Sequence, residues 1–480
     1  MEKILNYIDG KLVDPIGGKY IENFEPATGK IYSMIPDSDE RDVELAVESA
    51  SKAFPAWSTL SKEKRSALIL KVVEEIENNL DEFALAESRD NGKPVWLARR
   101  VDIPRAAKNF RFFATGILHF ASESHSMEKT AINYTLRSPI GVAACISPWN
   151  LPLYLFTWKI APALAVGNCV VAKPSEITPM TAYKLAEICA KILPPGVLNI
   201  IHGYGHKVGS ALTSHPKVPV ISFTGGTKTG ADIARVAAPM FKKLSLELGG
   251  KNPNVIFADC DFEKALSRTL DSSFDNQGQI CLCGSRIFVE KPIYEKFKKA
   301  FVERVAAMKV GNPYDENSRL GALVSKQHME KVLSYIELAK EEGGTILTGG
   351  KQVRIDGEYK DGWYVEPTVI EGLAYNCRTN MEEVFGPLVT IMPFETEEEV
   401  LLYANATEYG LASTIWTENL TRAHRMANEI HSGIVWINCW LLRDLRTPFG
   451  GVKNSGVGRE GGFEAMKFFT EPKNVCISLS

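Results

Sequence analysis

The sequence lacks several features that would decide its class. Its nine cysteines are scattered, and no two Cys-x-x-Cys pairs occur among them, so a zinc site is not expected. An odd number of unpaired thiols fits free cysteines in a cytoplasmic protein better than a disulfide framework. There is no charge excess: 55 basic and 58 acidic residues leave a formal net charge of −3, mixed along the chain. That argues against nucleic-acid and membrane-surface partners, which favour a basic field. No internal repeat, low-complexity tract or long charge run is present. Met1 to Gly10 has no apolar core of the signal-peptide kind. The longest apolar stretch, Leu151 to Ala172, reaches the length of a membrane span. Pro152, Lys159, Pro162, Gly167 and Asn168 interrupt it, so it reads as a buried loop, helix and strand.

The 480 residues, 45% apolar and 24% charged, make an ordinary globular chain too long for one core. Strand signals and turns alternate up to Pro36. Asp37-Ser-Asp-Glu40 then starts a helix whose apolar face is Val43, Val47, Ala50 and Phe54. More helix follows from Glu63 to about Phe120. From Gly141 the pattern changes to near-continuous apolar strands: Gly141–Ser147, Cys169–Lys173, Val197–Ile201 and Val218–Phe223. Helical stretches near 179–192, 206–214 and 227–239 separate them, and Thr178-Pro179 supplies a cap and first-turn proline. This alternation predicts an α/β fold, a parallel sheet covered on both faces with ligands at the carboxyl ends of its strands. A second α/β region, with strands at Arg286–Glu290, Val365–Ile370 and Leu388–Pro393, runs to about Val435. The last strand, Asn474–Leu479, is expected to pair with Thr130–Leu136 as a two-part exposed edge, suited to joining subunits.

Three segments carry the chemistry: Ser147-Pro-Trp-Asn150, Leu246-Glu-Leu-Gly-Gly-Lys251, and the run from Asn276 through Cys281 and Cys283 to Arg286. Oxidising an aldehyde to an acid needs a nucleophile, an oxyanion donor, a hydride acceptor and a base for water. Cysteine suits the first role, an Asn amide the second and a carboxylate the last. Cys281, Asn150 and Glu247 are the candidates. Singly each has a plainer reading: a core thiol, a turn residue and a surface carboxylate. Their combination carries the argument.

Further motifs stand in order along the chain: Lys173-Pro-Ser-Glu176, Phe223-Thr-Gly-Gly-Thr-Lys-Thr-Gly230, Glu383-Val-Phe-Gly-Pro387 and Pro448-Phe-Gly-Gly-Val-Lys453-Asn-Ser-Gly456. With them the chain resembles the NAD(P)-dependent aldehyde dehydrogenase superfamily over nearly its whole length. The resemblance implies Cys281 as nucleophile, Glu247 as general base, and Asn150 with the Cys281 N–H as oxyanion hole. It implies cofactor contacts from Ile146, Ser147, Pro148, Trp149, Lys173, Ser175, Glu176, Gly205, Gly209 and Phe223. Further contacts come from Thr224, Gly225, Gly226, Thr227, Leu248, Gly249, Glu383 and Phe385. The segment Gly225–Gly230 is neither Gly-x-Gly-x-x-Gly nor a phosphate loop, but at a strand-to-helix turn it brings backbone N–H groups to a pyrophosphate. Many relatives have Ser where this chain has Gly226. A carboxylate at Glu176 beside Lys173 suits the ribose hydroxyls of NAD and repels the 2′-phosphate of NADP, so NAD is favoured. A solvated Lys173–Glu176 ion pair is the alternative. Lys159 and Glu460 match positions of a proton relay, and a structural ion pair accounts for them equally well. An anionic Glu247 beside Cys281 would raise the thiol's pKa, which implies a Glu247 that moves in after hydride transfer. Cys283 reads as a core residue, or as a thiol able to trap an oxidised Cys281.

The resemblance also implies an architecture. Residues 1–120 and 141–248 form a Rossmann-type NAD-binding domain and 249–435 a catalytic domain. Residues 121–140 and 464–480 form a small β oligomerisation arm, and 436–463 a substrate funnel and return segment. A homodimer or homotetramer is expected. Relatives acting on apolar aldehydes place aromatics in the funnel loop, whereas here it carries Arg443 and Arg446. Arg105 faces the same funnel, with Trp158 and Phe449. These segments resemble the 2-hydroxy- and 2-aminomuconic semialdehyde dehydrogenases, whose substrates carry a distal carboxylate. A guanidinium fork matches such a group. Arg105 and Arg443 are therefore the expected clamp, with Arg446 in reserve; surface or interdomain salt bridges are the alternative. A general or betaine-type aldehyde dehydrogenase remains open within the class. A cysteine thioesterase would leave the Gly225 and Glu383 motifs without purpose, and Glu247 disfavours an acyl-CoA-forming variant.

Overall fold

The computed structural model describes residues 2–479. An eight-stranded sheet organises one body. Its order is Gly456–Val457, Lys243–Glu247, Val220–Thr224, Val142–Ile146, Cys169–Lys173, Leu198–Ile200, Asn6–Ile8, Lys11–Val13. The five strands from Lys243–Glu247 to Leu198–Ile200 are parallel, and the outer ones antiparallel. Val142–Ile146 and Cys169–Lys173 are buried at every position, as helices on both faces require. The long apolar run folds as a turn, the wholly buried helix Pro152–Val166 and the strand Cys169–Lys173. No described helix is long and apolar enough to cross a membrane.

From Val142–Ile146 the chain lays strands outward on one side, then returns to add Val220–Thr224 and Lys243–Glu247 on the other. This reversal opens a crevice at the strands' carboxyl ends, where open α/β sheets bind ligands. Helix Glu40–Thr59 packs on the sheet with Val43, Val47 and Ala50 buried, and Asp39 and Asp42 close a capping box at its start. The cap expected from Thr178 does not form. Helix Met180–Ile192 begins after Pro179 with no side-chain cap, because the Thr178 hydroxyl donates instead to the Trp149 carbonyl at 3.3 Å.

The second body is a seven-stranded sheet in the order Thr345–Thr348, Thr368–Glu371, Leu388–Phe394, Arg286–Glu290, Pro253–Ile256, Ala412–Trp416, Ile434–Ile437. Only the Thr345–Thr348 edge is antiparallel. The single strand expected over Val365–Ile370 is instead two, Tyr364–Val365 and Thr368–Glu371, split at Pro367, which has no N–H for a ladder. A third sheet pairs Thr470–Ser478 antiparallel with Ala131–Pro139, whose other side carries Ser124–Met127. The edge is therefore three-stranded, not two-part. Helix Gly462–Phe468 precedes it and sinks Met466 into the first body's core. Each buried side chain of Val or Ile size contributes roughly 1.5–3 kcal/mol, so these cores hold the two sheets as rigid walls around the crevice between them.

Candidate active site

The loop that carries Cys281 begins with a strained turn. After helix Phe262–Phe274, Asn276, Gln277 and Gly278 take φ of 53°, 57° and 71°. Left-handed backbone costs a non-glycine residue roughly 1–2 kcal/mol, so neighbours must hold it. Gln277 Nε2 donates to the Ala322 carbonyl at 3.0 Å, and its Oε1 accepts from Gly321 N at 3.2 Å. Gln279 Oε1 accepts from Val324 N at 3.1 Å. At position 278 a Cβ would lie 2.2 Å from the Gly386 carbonyl oxygen, so only glycine fits. Beyond the turn, Asn252 Nδ2 donates to the carbonyls of Cys281 at 2.7 Å and Cys283 at 2.9 Å. The loop is thus anchored on both sides of the thiol.

Cys281, Glu247, Glu460, Thr224, Arg443 and Phe449 line one cavity of about 40 Å³, room for a water or two. Glu247 ends its strand buried, and its Oε1 has no hydrogen-bond partner. Gly450 makes space for it, since a Cβ there would stand 2.8 Å from that oxygen. Burial, reinforced by Glu460, lifts the Glu247 carboxyl well above its ordinary range, against the opposing pull of Lys159, Arg443 and Arg459. Burial, then Glu247 and Glu383, push the Cys281 thiol up to about 12, with Arg443 pulling it down. Lys159 and Glu460 form a buried ion pair at 2.7 Å, and Ser222 lies 3.1 Å from the amine and 3.0 Å from the carboxylate. Asn150 lies behind the cavity, its Nδ2 donating to the Gln279 carbonyl at 2.9 Å. Among described residues that amide has no second acceptor, which leaves one N–H for an oxyanion. Cys283 is buried and faces a different, smaller cavity with Glu383 and Phe385.

The crevice of the first sheet is a cleft of about 660 Å³. Ile146, Ser147, Pro148, Trp149, Lys173, Ser175, Glu176, Gly205, Gly209, Phe223, Thr224, Gly225 and Gly226 all line it. Lys173 Nζ pairs with Glu176 at 2.9 Å and donates to the Pro174 carbonyl at 3.0 Å. Burial pushes the Glu176 carboxyl upward, but Lys173 outweighs it and the group stays below its usual range. Gly226 precedes helix Thr227–Ala237, which has no side-chain cap. A Cβ at Gly226 would meet nothing within 4 Å, so its backbone amide is open to a ligand. The buried hydroxyl of Thr224 also has no partner; Thr227, an expected cofactor contact, does not line the cleft, and its hydroxyl bonds to Tyr409. Unmet donors at a helix N-terminus fit a dinucleotide phosphate. Leu248 lines the Cys281 cavity instead, and Gly249 packs closely against the Glu383 carboxylate. Glu383 Oε1 accepts from Gly250 N at 2.8 Å. Phe385, at φ 63°, stacks edge-on to Trp149 at 5.3 Å. His328, which no motif marks, meets the Phe385 carbonyl through Nε2 at 2.7 Å, and burial lowers its pKa to about 4.

Arg105 and Arg443 converge on an aromatic box. Arg443 lies 3.9 Å from the Phe449 ring centre and 5.3 Å from Trp158, and donates to the Tyr154 hydroxyl at 2.9 Å. Arg105 lies 5.2 Å from the Tyr154 ring and 5.6 Å from Trp158. Its Nε donates to Asn109 Oδ1 at 3.1 Å, and one buried terminal nitrogen has no partner. The buried Trp158 Nε1 also has none. Neither arginine pairs with a carboxylate among the described residues. Arg446 corrects the expectation of a reserve: it is exposed and forks onto Asp444 at 3.0 and 2.6 Å, away from the box. Tyr154, between the two arginines, sits in the apolar run and was not singled out. Asn91 and Lys93, which reach the Asn150 carbonyl, carry no sequence signal because a lone Asn or Lys has no motif, whereas Asn276, which also reaches it, opens the Cys281 segment.

The fold and this site are those of an oxidoreductase acting on aldehydes. The Aldehyde dehydrogenase family matches residues 13–475, and the chain belongs to that family. It is 49% identical to a 2-aminomuconic semialdehyde dehydrogenase of Bos taurus over 476 residues, covering 98% of this chain and 97% of the relative. It is 45% identical to a 2-hydroxymuconic semialdehyde dehydrogenase of Pseudomonas sp. (strain CF600), with both chains fully covered. An NAD+ complex of an aldehyde dehydrogenase from Bacillus cereus superposes with TM-score 0.96 at 38% identity, covering 100% of this chain and 97% of the other.

Proposed function

We propose that this enzyme oxidises a carboxylate-bearing semialdehyde of the muconic type to the acid, using NAD in preference to NADP. The observation that carries the reading is the pair of guanidiniums without a carboxylate partner, Arg105 and Arg443, in the box around the Cys281 cavity. Buried or half-buried cations are ordinarily paired, so a ligand carboxylate is the natural counter-charge.

The substrate's distal carboxylate lies on the two guanidiniums, which points its aldehyde at Cys281. The thiol gives up its proton to water in the cavity and Sγ bonds to the carbonyl carbon. The Asn150 amide and the Cys281 N–H hold the oxyanion. In the cleft, Lys173 and Glu176 would hold a ribose of the dinucleotide and the Gly226 turn its phosphates, and the bound group would supply the hydride acceptor. That leaves a thioester on Cys281. Glu247, having turned out of its buried seat and lost its proton, takes a proton from water. The water oxygen bonds to the carbonyl carbon, and Sγ leaves. Lys159 and Glu460 provide a route for the proton beyond Glu247. Glu383 and Phe385 contact the nicotinamide half. The arm of 121–140 and 464–480 joins protomers into a homodimer or homotetramer, residues 1–120 and 141–248 bind the cofactor, and 249–435 carries the nucleophile. The enzyme works in the cytoplasm.

The test is steady-state kinetics with NAD on 2-hydroxymuconic semialdehyde, 2-aminomuconic semialdehyde and neutral aldehydes of similar length, following reduced-nicotinamide absorbance. The muconic substrates should win in kcat/KM by roughly ten- to a hundredfold, the worth of a hydrogen bond to a charged group. Equal kcat/KM on both classes would overturn the substrate assignment. A rate that requires coenzyme A would overturn hydrolysis by Glu247.

A further inference from the structure

The peptide carbonyl of Asn150 is the meeting point of three side-chain donors. Asn276 Nδ2 reaches it at 2.9 Å, Lys93 Nζ at 3.2 Å and Asn91 Nδ2 at 3.3 Å. Asn276 is the first left-handed residue of the nucleophile's turn, and its Nδ2 also touches the Gln279 carbonyl at 3.2 Å. The Asn150 side chain donates to that same carbonyl. The oxyanion donor and the nucleophile loop are therefore tied together through one peptide unit.

Lys93 is the charged arm of this junction, and its side chain is fully buried. It bonds Asp102 at 2.7 Å, with Glu87 at 3.8 Å, both also buried. Glu87 in turn accepts from Leu153 N at 3.3 Å, in the first turn of helix Pro152–Val166. Lys93 and Glu87 thus grip the segment that carries Asn150 at both ends. Asp102 Oδ1 is buried without a hydrogen-bond partner, and Glu87 Oε1 has only the long 3.8 Å approach of Lys93 beside the Thr181 hydroxyl. A well-packed apolar group would fill such a site at lower cost, because removing three ionisable groups from water is expensive. Filling space does not explain them; aiming a peptide unit does. Burial lifts the Glu87 carboxyl to about 8, against the pull of Lys93 and with Asp102 adding to the rise.

We propose that Lys93 is a positioning residue for aldehyde oxidation: acting through the Asn150 carbonyl, it aims the Asn150 amide at the oxyanion. This rests on Asn150 being the oxyanion donor. A displacement of about an ångström at such a donor costs on the order of a hundredfold in rate. The nucleophile itself does not need the donor, and neither does the cofactor cleft.

The experiment compares Lys93→Met, Asp102→Asn and Asn150→Ala in the full-length enzyme. Three quantities are read: the rapid-mixing burst rate of NADH formation, the iodoacetamide alkylation rate of Cys281, and NAD affinity by fluorescence. Lys93→Met and Asp102→Asn should slow the burst by roughly ten- to a hundredfold, with alkylation and NAD affinity within about twofold of wild type. If both leave the burst unchanged while Asn150→Ala slows it, the Lys93 role is overturned and the oxyanion assignment stands. If Asn150→Ala leaves the burst unchanged, the oxyanion assignment itself falls. A loss of alkylation and NAD binding in step with the burst marks general damage and overturns the proposal. Should Lys93→Met fail to fold, Asp102→Asn decides by the same three readings.

Discussion

The two sides of the catalytic crevice are built on opposite electrostatic plans. In the first sheet's cleft the charges are already matched: Lys173 and Glu176 pair at 2.9 Å, and the Thr224 hydroxyl has no partner. In the substrate funnel they are unmatched: Arg105 and Arg443 face aromatic rings, with no carboxylate among the described residues. A self-neutralised cleft selects by shape and hydrogen bonding, whereas an uncompensated one selects by charge. Arg446 makes the contrast within a single loop. Three residues from Arg443, it has a partner in Asp444 and points to solvent.

The largest test falls where the two sides meet, at Glu247. Glu247→Gln should lower steady-state turnover by about 10²–10⁴-fold, the range for a lost general base. A stoichiometric burst of NADH should survive. Loss of the burst too would mean that Glu247 serves acylation and is not confined to hydrolysis. Next, Arg105→Ala and Arg443→Ala should each reduce kcat/KM for a carboxylated aldehyde by roughly ten- to a hundredfold. A neutral aldehyde, and Arg446→Ala on either substrate, should stay within about threefold; equal losses on both substrates would erase the contrast.

A smaller effect tests whether the funnel's charge reaches the thiol. With the Cys281 pKa near 12, the thiolate is a minor species, and its population grows about tenfold per pH unit between 7 and 9. Iodoacetamide alkylation should rise with that slope. Because Arg443 holds the thiol's pKa down, Arg443→Ala should slow alkylation several-fold at fixed pH, and an unchanged rate would separate the funnel charge from the nucleophile. The smallest change concerns the paired side. Glu176→Gln removes the carboxylate that repels a 2′-phosphate, and should shift the NADP-to-NAD preference toward NADP by several-fold. No shift would show that the Lys173–Glu176 pair is structural.

The lining of the first sheet's cleft was legible because it is written locally. A strand, a short motif and a helix start lie within ten residues of one another, so Ser147–Trp149, Lys173–Glu176 and Phe223–Gly226 reached the same cleft as expected. Arg105 and Arg443 were legible as charges where apolar residues belong. Arg446 misled because sequence alone does not say which of two neighbouring arginines Asp444 captures. Thr178 misled for a related reason: its hydroxyl had a more distant acceptor, the Trp149 carbonyl, than the helix it precedes. Lys93 was out of reach. Its bond to the Asn150 carbonyl spans 57 positions, and only packing brings the two together.

The left-handed turn at Asn276–Gly278 has a consequence for how the enzyme dies on heating. Its conformation is held by amide side chains reaching the 321–324 loop and by the backbone at Gly386. Those are a few hydrogen bonds, against the many buried side chains that hold the two sheets. The turn will therefore relax first, carrying the thiol out of register while both sheets remain intact. Catalytic inactivation should run ahead of the loss of secondary structure, and the earliest heat-damaged population will be a folded, inert protein that recovers on cooling.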